Sequence, residues 1–243
     1  MTTAEDVRVL LVDDQELFRQ GVGVILDAQP GIRVVGSAAD GREAVRLVDE
    51  LVPDVVLMDL RMPVLDGVEA TRQIFAPTRA AARSRPVRVV VLTTFDLDDR
   101  AATAIRYGAS GFLLKDSSPE QLAHCVRTVH AGNAVMAPQD LTTLLDGRFR
   151  AVSPVPGEVG SLTTKERRVL VLVATGMSNA EIGARLFVSE STVKTHVGAI
   201  LRKLDLRDRV QVVVFAHEHR LVDAERQRAA RRECGVPGEP PAT

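Results

Sequence analysis

The chain has 243 residues, of which 45% are hydrophobic and 26% are charged; it is long for one domain and has the composition of a protein with buried cores. No apolar run approaches the roughly 18 residues that a membrane span needs, and the polar start predicts no signal peptide. We therefore expect a cytoplasmic protein with no membrane partner. The two cysteines, Cys125 and Cys234, lie far apart and predict neither a disulfide nor a metal pair.

The net charge of −1 hides an asymmetry between two parts of the chain. Residues 161–243 carry 14 Lys/Arg and 10 Asp/Glu, a net charge of +4, whereas residues 1–160 carry 17 and 22, a net charge of −5. An acidic part suits a cation site, and a basic part suits a polyanion. Chance variation in surface charge is the alternative explanation.

Short β-branched runs alternate with helix-like segments over the first 130 residues. The predicted strands are 7–12, 33–36, 54–58, 87–92 and 111–114, and helical spacing of apolar residues marks 15–28, 42–51 and 98–107. Two of the runs are almost continuously apolar, which is typical of strands buried on both faces. This alternation predicts an α/β fold with a five-stranded parallel, doubly wound sheet.

The rest of the chain divides by composition. Residues 132–160 form a predicted linker, because 146–160 are rich in Gly and Pro and only 138–145 suggest a short helix. Residues 161–225 have a wholly helical pattern and predict a small all-α domain. We expect residues 226–243 to be a disordered tail. The first domain then spans 5–131.

Polar residues follow the predicted strands at their carboxyl ends. They are Asp13 and Asp14 after the first strand, Asp59 after the third, Thr93 after the fourth and Lys115 after the fifth. In a parallel sheet these ends share one edge, where open α/β folds bind ligands. Clustered carboxylates without Cys or His favour Mg²⁺, and one of them could accept a phosphoryl group as nucleophile. For each residue alone, a polar cap on a strand end is the alternative.

The same residues carry a family resemblance. Residues 7–131 resemble the CheY-like receiver domains of two-component response regulators, through Leu-Val-Asp-Asp at 11–14, Met-Asp-Leu-Arg-Met-Pro at 58–63, Leu-Thr-Thr-Phe at 92–95 and Gly-Phe-Leu-Leu-Lys at 111–115. The resemblance implies a phosphoacceptor, Asp59, and a Mg²⁺ ion. The implied metal ligands are Asp14, Asp59 and the main-chain carbonyl of Arg61, with Asp13 acting through water. Thr93 and Lys115 would contact the phosphoryl group, and Phe112 would be the aromatic switch that follows Thr93.

Two features depart from the receiver pattern. Asp116 follows Lys115 where receivers often have a proline in a cis peptide, so we expect a different turn. Residues 76–86 form a longer and more basic connection than the family suggests, and we interpret them as a solvated loop extension.

Capping residues predict the helix N-termini of the second domain, independently of any family resemblance. Thr163 with Glu166 and Ser178 with Glu181 have the form of capping boxes, and Ser189 offers a third N-cap. These signals predict a short helix at 179–186, a tight turn and a longer helix at 190–204.

The longer helix has two different faces. Its predicted core residues are Val193, Val197, Ile200, Leu201 and Leu204. The opposite face centres on Thr195, with Gly198 and Ala199 beside it, and small, hydroxyl and basic residues suit entry into a DNA major groove. The predicted DNA contacts are Ser191, Thr192, Lys194, Thr195 and Arg202. A plain solvated face is the alternative, and we interpret His196 as a packing residue.

Residues 161–225 also resemble the LuxR-type (NarL/FixJ) DNA-binding domain, through Leu-Thr-Thr-Lys-Glu at 162–166, Ser-Asn-Ala-Glu-Ile-Gly at 178–183 and Ser-Glu-Ser-Thr-Val-Lys-Thr-His-Val at 189–197. The resemblance implies that 190–204 is the recognition helix and that 207–219 is a dimerisation helix, with Val210, Val213 and Val214 as contacts. By propensity alone that last segment could be a strand. Gly198 stands where relatives can carry a longer polar residue, which puts one contact in doubt.

The predicted function is that of a response regulator. A sensor histidine kinase would phosphorylate Asp59, and a homodimer would then bind promoter DNA to control transcription. An aspartyl-phosphate phosphohydrolase is an alternative, but such enzymes place an acid two positions after the nucleophile, where this chain has Arg61. A receiver that has lost phosphorylation is another, and the intact set of strand-end residues argues against it. We therefore expect a protein that is not an enzyme.

Overall fold

The structure is a computed structural model that describes residues 6–94, 99–132 and 157–222. The predicted helix at 138–145, the predicted tail at 226–243 and Cys234 lie outside these residues. Cys125 is buried and free, and burial raises the pKa of its thiol to about 12, which disfavours the reactive thiolate.

The first domain is built on a five-stranded sheet in the order β2-β1-β3-β4-β5, with every neighbouring pair parallel. The strands are β1 (Val7–Val12), β2 (Ile32–Ala38), β3 (Val55–Asp59), β4 (Arg88–Thr93) and β5 (Gly111–Leu114). The central strand β3 is buried along its whole length, which explains its unbroken apolar sequence. The predicted α/β fold class is confirmed.

Helices cover both faces of this sheet. They are α1 (Glu16–Asp27), α2 (Gly41–Leu51), α3 (Gly67–Ile74), α4 (Pro77–Ala82), α5 (Asp99–Arg106) and α6 (Pro119–His130). Helices α1 and α6 pack on one apolar cluster, and α2, α3 and α5 pack on the other. The parallel order requires each crossover helix to return the chain to the same edge of the sheet.

Helix α4 corrects the prediction of a solvated loop at 76–86. Pro77 occupies the first turn, where its fixed φ favours a helix, and three alanines follow it. Arg79 and Arg83 both bind the carboxylate of Asp49 on α2, and Arg83 also donates to the carbonyl oxygen of Ile74 at 2.7 Å. Only 5% of the Arg83 side chain is exposed. These basic residues hold the insertion against the domain, so the loop interpretation is wrong.

The second domain is wholly helical. A 3-10 helix at Gly157–Ser161 precedes α7 (Thr164–Ala174), α8 (Asn179–Leu186), α9 (Glu190–Lys203) and α10 (Arg209–Glu218). Both predicted capping boxes and the predicted Ser189 N-cap are present. The 3-10 helix lies in the predicted linker, which is therefore wrong over its last residues: Val159 is buried, and its carbonyl oxygen accepts from Arg167 at 2.7 Å.

Helix α10 contacts both α7 of its own domain and α5 of the first domain. The amide of Gln211 donates to the carbonyl oxygens of Ile105 and Ala109, each at 3.3 Å, and the buried N-cap Asp208 accepts from the Gln211 main-chain amide at 3.0 Å. Val210, Val213 and Val214 are buried within the chain. These three residues, which the resemblance implied as dimer contacts, are therefore covered within this chain, and their role in a dimer stays a prediction.

Within the described ranges, none of the helices combines the length and the apolar character needed to cross a bilayer.

One carboxylate ties the start of α7 to the end of α9. The Glu166 side chain accepts from the Thr163 main-chain amide at 2.7 Å and from the Lys203 ammonium at 2.7 Å. The Lys203 contact, helped by the Thr163 amide, lowers the pKa of Glu166 from 4.5 to about 2. Glu166 is buried, so this ion pair is shielded from water.

We predict that Glu166→Gln destabilises the second domain by about 1.5–3 kcal/mol at pH 7, the usual range for a hydrogen bond to a charged group. Because the pKa is lower in the folded state, the stabilisation is present above pH 4.5 and is lost as the pH falls toward 2. The difference between wild type and variant should therefore shrink below pH 4.5. Hydrogen exchange of the α7 amides in urea measures this difference in stability.

Glu181→Gln is the matched control, because Glu181 completes the same capping box with Ser178 on an exposed surface. A loss at pH 7 that is equal in the two variants would contradict a special contribution from Lys203.

Candidate functional site

The five strand-end residues converge at the carboxyl edge of the sheet. The Lys115 ammonium lies 2.6 Å from Asp13 Oδ2 and 2.9 Å from Asp59 Oδ2. All three side chains are at most 8% exposed. Asp59 ends β3, Asp13 directly follows β1 and Lys115 directly follows β5, so the parallel topology produces the cluster that the sequence predicted.

Burial and ion pairing shift the pKa values of the side chains in this pocket in opposite directions. Burial raises the pKa of Asp13 and outweighs the lowering by its hydrogen bonds with Lys115 and Gln15. Burial would lower the pKa of Lys115, but its hydrogen bonds to Asp13 and Asp59 outweigh burial, and the net shift is upward. Lys115 therefore stays charged, and its charge partly compensates two adjacent carboxylates.

Asp14 adds a third, exposed carboxylate to the pocket. One oxygen each from Asp13, Asp14 and Asp59 lies within 4.8 Å of the others. A site of carboxylate oxygens, without sulfur or imidazole, fits a hard divalent cation such as Mg²⁺. The Arg61 main-chain amide donates to Asp59 Oδ1 at 3.2 Å, so this residue is adjacent to the cluster. Its carbonyl stays a predicted ligand.

Two further residues support the pocket: Gly67, which ends the receiver motif at 58–67 but had no role assigned from the sequence, and Phe18, which the sequence did not indicate. Gly67 begins α3, and a Cβ there would collide with the carbonyl of Asp59, so only glycine lets the returning chain approach the acceptor. The Asp-Gly pair at 66–67 was a signal that could have found it. The Phe18 ring lies 5.0 Å from the Lys115 ammonium. Nothing in the local sequence reveals that contact, because it joins α1 to the end of β5.

Thr93 and Phe112 lie on neighbouring strands. Thr93 ends β4, and its carbonyl oxygen accepts from the Lys115 main-chain amide at 2.8 Å. Phe112 pairs in register with Val91 and is half-buried against the core that α5 shares. The Lys115–Asp116 peptide bond is trans. The switch role of Thr93 and Phe112 stays a prediction, although a movement of one side chain could affect both strands and α5.

Helix α9 has the orientation that the sequence predicted. Val193, Ile200 and Leu204 are buried, and Val197 and Leu201 are partly buried. The opposite side exposes Ser191, Lys194, Thr195, Gly198 and Arg202. His196 is partly buried at the border. This outward face has no large apolar side chain.

Some predicted DNA contacts already have partners within α9. Lys194 pairs with Glu190 at 3.2 Å, and the Thr195 hydroxyl donates to the Ser191 carbonyl at 3.0 Å. The Thr192 hydroxyl is partly buried and lies 2.8 Å from the Ser189 hydroxyl. Thr192 therefore contributes to the helix cap, which competes with its predicted DNA contact.

Comparison with known proteins gives two family matches. The response regulator receiver domain matches residues 9–127, and the bacterial regulatory proteins of the luxR family match residues 160–216. The transcriptional regulatory protein LiaR of Bacillus subtilis is 43% identical over 89% of this chain and 100% of its own length. The nitrate/nitrite response regulator protein NarL of Escherichia coli K12 is 36% identical over 91% and 100%.

A solved structure is also similar. The two-component response regulator of the LuxR family from Aurantimonas sp. SI85-9A1 is 35% identical, with a TM-score of 0.51, over 59% of this chain and 99% of that one. The curated relatives are named as regulators, and the matched families are regulators, not enzymes. The chain belongs to the two-component response regulators that join a receiver domain to a LuxR-type DNA-binding domain.

Proposed function

We propose that a sensor histidine kinase phosphorylates this protein on Asp59, and that the phosphorylated chain binds promoter DNA as a homodimer. The observation that carries the proposal is the buried Asp59 carboxylate, paired with Lys115 and next to two further aspartates. An oxygen of Asp59 would attack the phosphorus, and the bond from phosphorus to the donor would break as the donor leaves. These partners imply a cytoplasmic location.

A Mg²⁺ ion would be held by Asp14, Asp59 and the Arg61 carbonyl, with Asp13 acting through water, and would neutralise charge on the phosphoryl oxygens. Lys115 supports this chemistry from the protein side. Its ammonium already touches Asp59 at 2.9 Å and is held next to the acceptor by Asp13. The same charge can pair with the oxygens that arrive on Asp59.

Transmission to the second domain would pass through α5. Phosphorylation adds about −1.5 to −2 charge and strong acceptor oxygens, which favour a shift of the Thr93 hydroxyl toward Asp59. Phe112 can then repack against the space that Thr93 leaves, which alters the surface of β4, α5 and β5. Helix α10 rests on that surface through Gln211. Its release would free the side of α10 that Gln211 occupies, and Val210, Val213 and Val214 are the residues that we assign to contact with a second copy.

DNA contact is assigned to the exposed face of α9. Its flank carries Lys194 and Arg202, where long cations reach phosphates, and its centre carries Thr195 and Ser191, which are short enough to approach base edges. Phosphate contacts supply affinity without sequence information, whereas base contacts supply discrimination.

The first prediction from this proposal is chemical. The protein should take up one phosphoryl group from acetyl phosphate, and uptake should require Mg²⁺. Asp59→Asn should abolish uptake because the amide is not a nucleophile. Asp116→Asn is the control, since Asp116 is an exposed carboxylate next to Lys115. Intact-mass measurement decides the question, and a stoichiometric acid-stable phosphoryl group on the Asp59→Asn variant would contradict the assignment.

A second prediction concerns the coupling between phosphorylation of Asp59 and DNA affinity. Thr93→Ala should leave phosphorylation of Asp59 largely intact but weaken its effect on DNA affinity, because the hydroxyl that follows the phosphoryl group is missing. Thr93→Ser keeps the hydroxyl and should retain the effect. The ratio of DNA dissociation constants with and without phosphorylation is the measurement. An unchanged ratio in the alanine variant would rule out this route.

A third prediction separates positioning from base recognition. Lys194→Ala should weaken binding to specific and random DNA alike, and each phosphate interaction that it removes should lower the salt slope by about 0.9. Thr195→Ala should spare random DNA but reduce the preference for the selected site by roughly 1–3 kcal/mol.

Both variants are titrated with matched and scrambled duplexes at several salt concentrations. Because Lys194 is paired with Glu190 in the free chain, Glu190→Gln is a useful control and should strengthen binding to both duplexes. If Lys194 sets the preference and Thr195 the salt slope, the helix is rotated in the groove relative to this proposal.

A further inference from the structure

Phe187 is the most exposed large hydrophobic residue among those that the structure describes. It is 95% exposed, and the following Val188 is 37% exposed. The two residues form the turn between α8 and α9 and directly precede Ser189, the N-cap of α9. An aromatic ring held in water contributes nothing to the core of the domain, so its place in the fold is unexplained by packing.

The backbone conformation of Phe187 is also energetically unfavourable. Its φ of 56° and ψ of 44° put it in the left-handed region, where helix C-caps favour glycine or asparagine and a bulky residue is strained. Its main-chain amide nevertheless donates to the Gly183 carbonyl, and Val188 donates to the same oxygen at 3.0 Å. A Cβ at Gly183 would collide with the Val188 carbonyl, which fixes the turn tightly against α8.

The turn therefore holds the phenyl ring rigidly outward at one end of the proposed recognition helix. The hydroxyls of Ser189, Ser191 and Thr192 cluster at the same end, with 2.8 Å between Ser189 and each of the others. In helix-turn-helix proteins the N-terminal residues of the recognition helix contact base edges. Phe187 precedes this N-cap by two residues, so it lies at the end of α9 that would approach the bases.

We propose that Phe187 contacts the C5-methyl group of a thymine in the major groove and makes the protein prefer that base. The thymine methyl is the apolar group that base edges present in that groove, and phenylalanine is one of the side chains that bind it. A strained, exposed aromatic next to the DNA-binding face is explained when it is covered only upon DNA binding. This inference rests on the proposed DNA-binding function.

The test uses the full-length protein and a duplex selected by the wild type from a random pool. Each thymine is replaced in turn by deoxyuridine, which removes only the methyl group. One replacement should weaken wild-type binding about fourfold, the factor that corresponds to one buried methyl group. Phe187→Asn should weaken binding to the unmodified duplex about tenfold, an order-of-magnitude expectation for the removal of an apolar contact. That variant should respond less than twofold to the same replacement.

Stability separates this role from a structural one. Asparagine tolerates the left-handed region, so Phe187→Asn should leave the thermal midpoint unchanged or raise it, whereas a residue needed for the fold would lower it. Phe187→Leu keeps an apolar side chain and should retain sensitivity to the replacement. Val24→Gln removes another exposed apolar residue, on α1 of the receiver, and should leave DNA affinity unchanged.

Several outcomes would overturn the inference. It fails if Phe187→Asn binds the unmodified duplex as the wild type does, or if the variant loses stability in parallel with affinity. Equal sensitivity of the wild type and Phe187→Asn to every deoxyuridine replacement would exclude the methyl contact. If Phe187→Asn then still binds all DNA more weakly, Phe187 contacts the sugar instead. A wild type that selects no duplex overturns the proposed function as well as this contact.

Discussion

A single ammonium group between two buried carboxylates organises the receiver domain. Lys115 contacts Asp13 at 2.6 Å and Asp59 at 2.9 Å, although these residues come from the ends of three different strands. Buried like charges repel one another strongly, so the sheet edge holds both carboxylates only because a cation lies between them. Asp14 nearby leaves the pocket with more negative than positive charge, which favours a divalent cation and then a phosphoryl group that shares it.

The contact between the domains depends on a close approach of Arg207 to the backbone at Gly108. Gly108 follows α5 with a φ of 120°, and a Cβ there would collide with the Arg207 guanidinium, which stacks on the Phe75 ring at 3.6 Å. Gln211 completes the contact by donating to main-chain carbonyls around the same turn. Helix α5 therefore contacts α3 and β4 within the receiver and α10 of the second domain.

Much of this arrangement could be predicted from sequence because it is local. Unbroken apolar runs predict strands that are buried on both faces. The ends of these strands then place Asp13, Asp59 and Lys115 together, because parallel strands end at the same edge of the sheet. Helix starts at Thr163 and Ser178 are equally local, since each capping box lies within four residues.

What could not be predicted depends on distant partners. The six-residue helix α4 is too short to be stable alone, and it is held by Arg83 binding Asp49, 34 positions away. The contact of α10 with α5 joins two domains, which no periodicity of either helix reveals.

Two of the places where local rules are broken lie at the proposed ligand sites. The acidic pocket gathers like charges that a stable core would avoid, and Phe187 combines full exposure with a backbone conformation that suits glycine. Lys115 offsets only part of the first cost, since Asp14 adds a third carboxylate, and the Phe187 ring has no covering side chain in the described residues. Proteins retain such costs where function compensates them. The two positions lie in different domains, so two separate ligands would be needed to compensate them, and the proposed function supplies a cation with a phosphoryl group at one and a nucleic acid at the other.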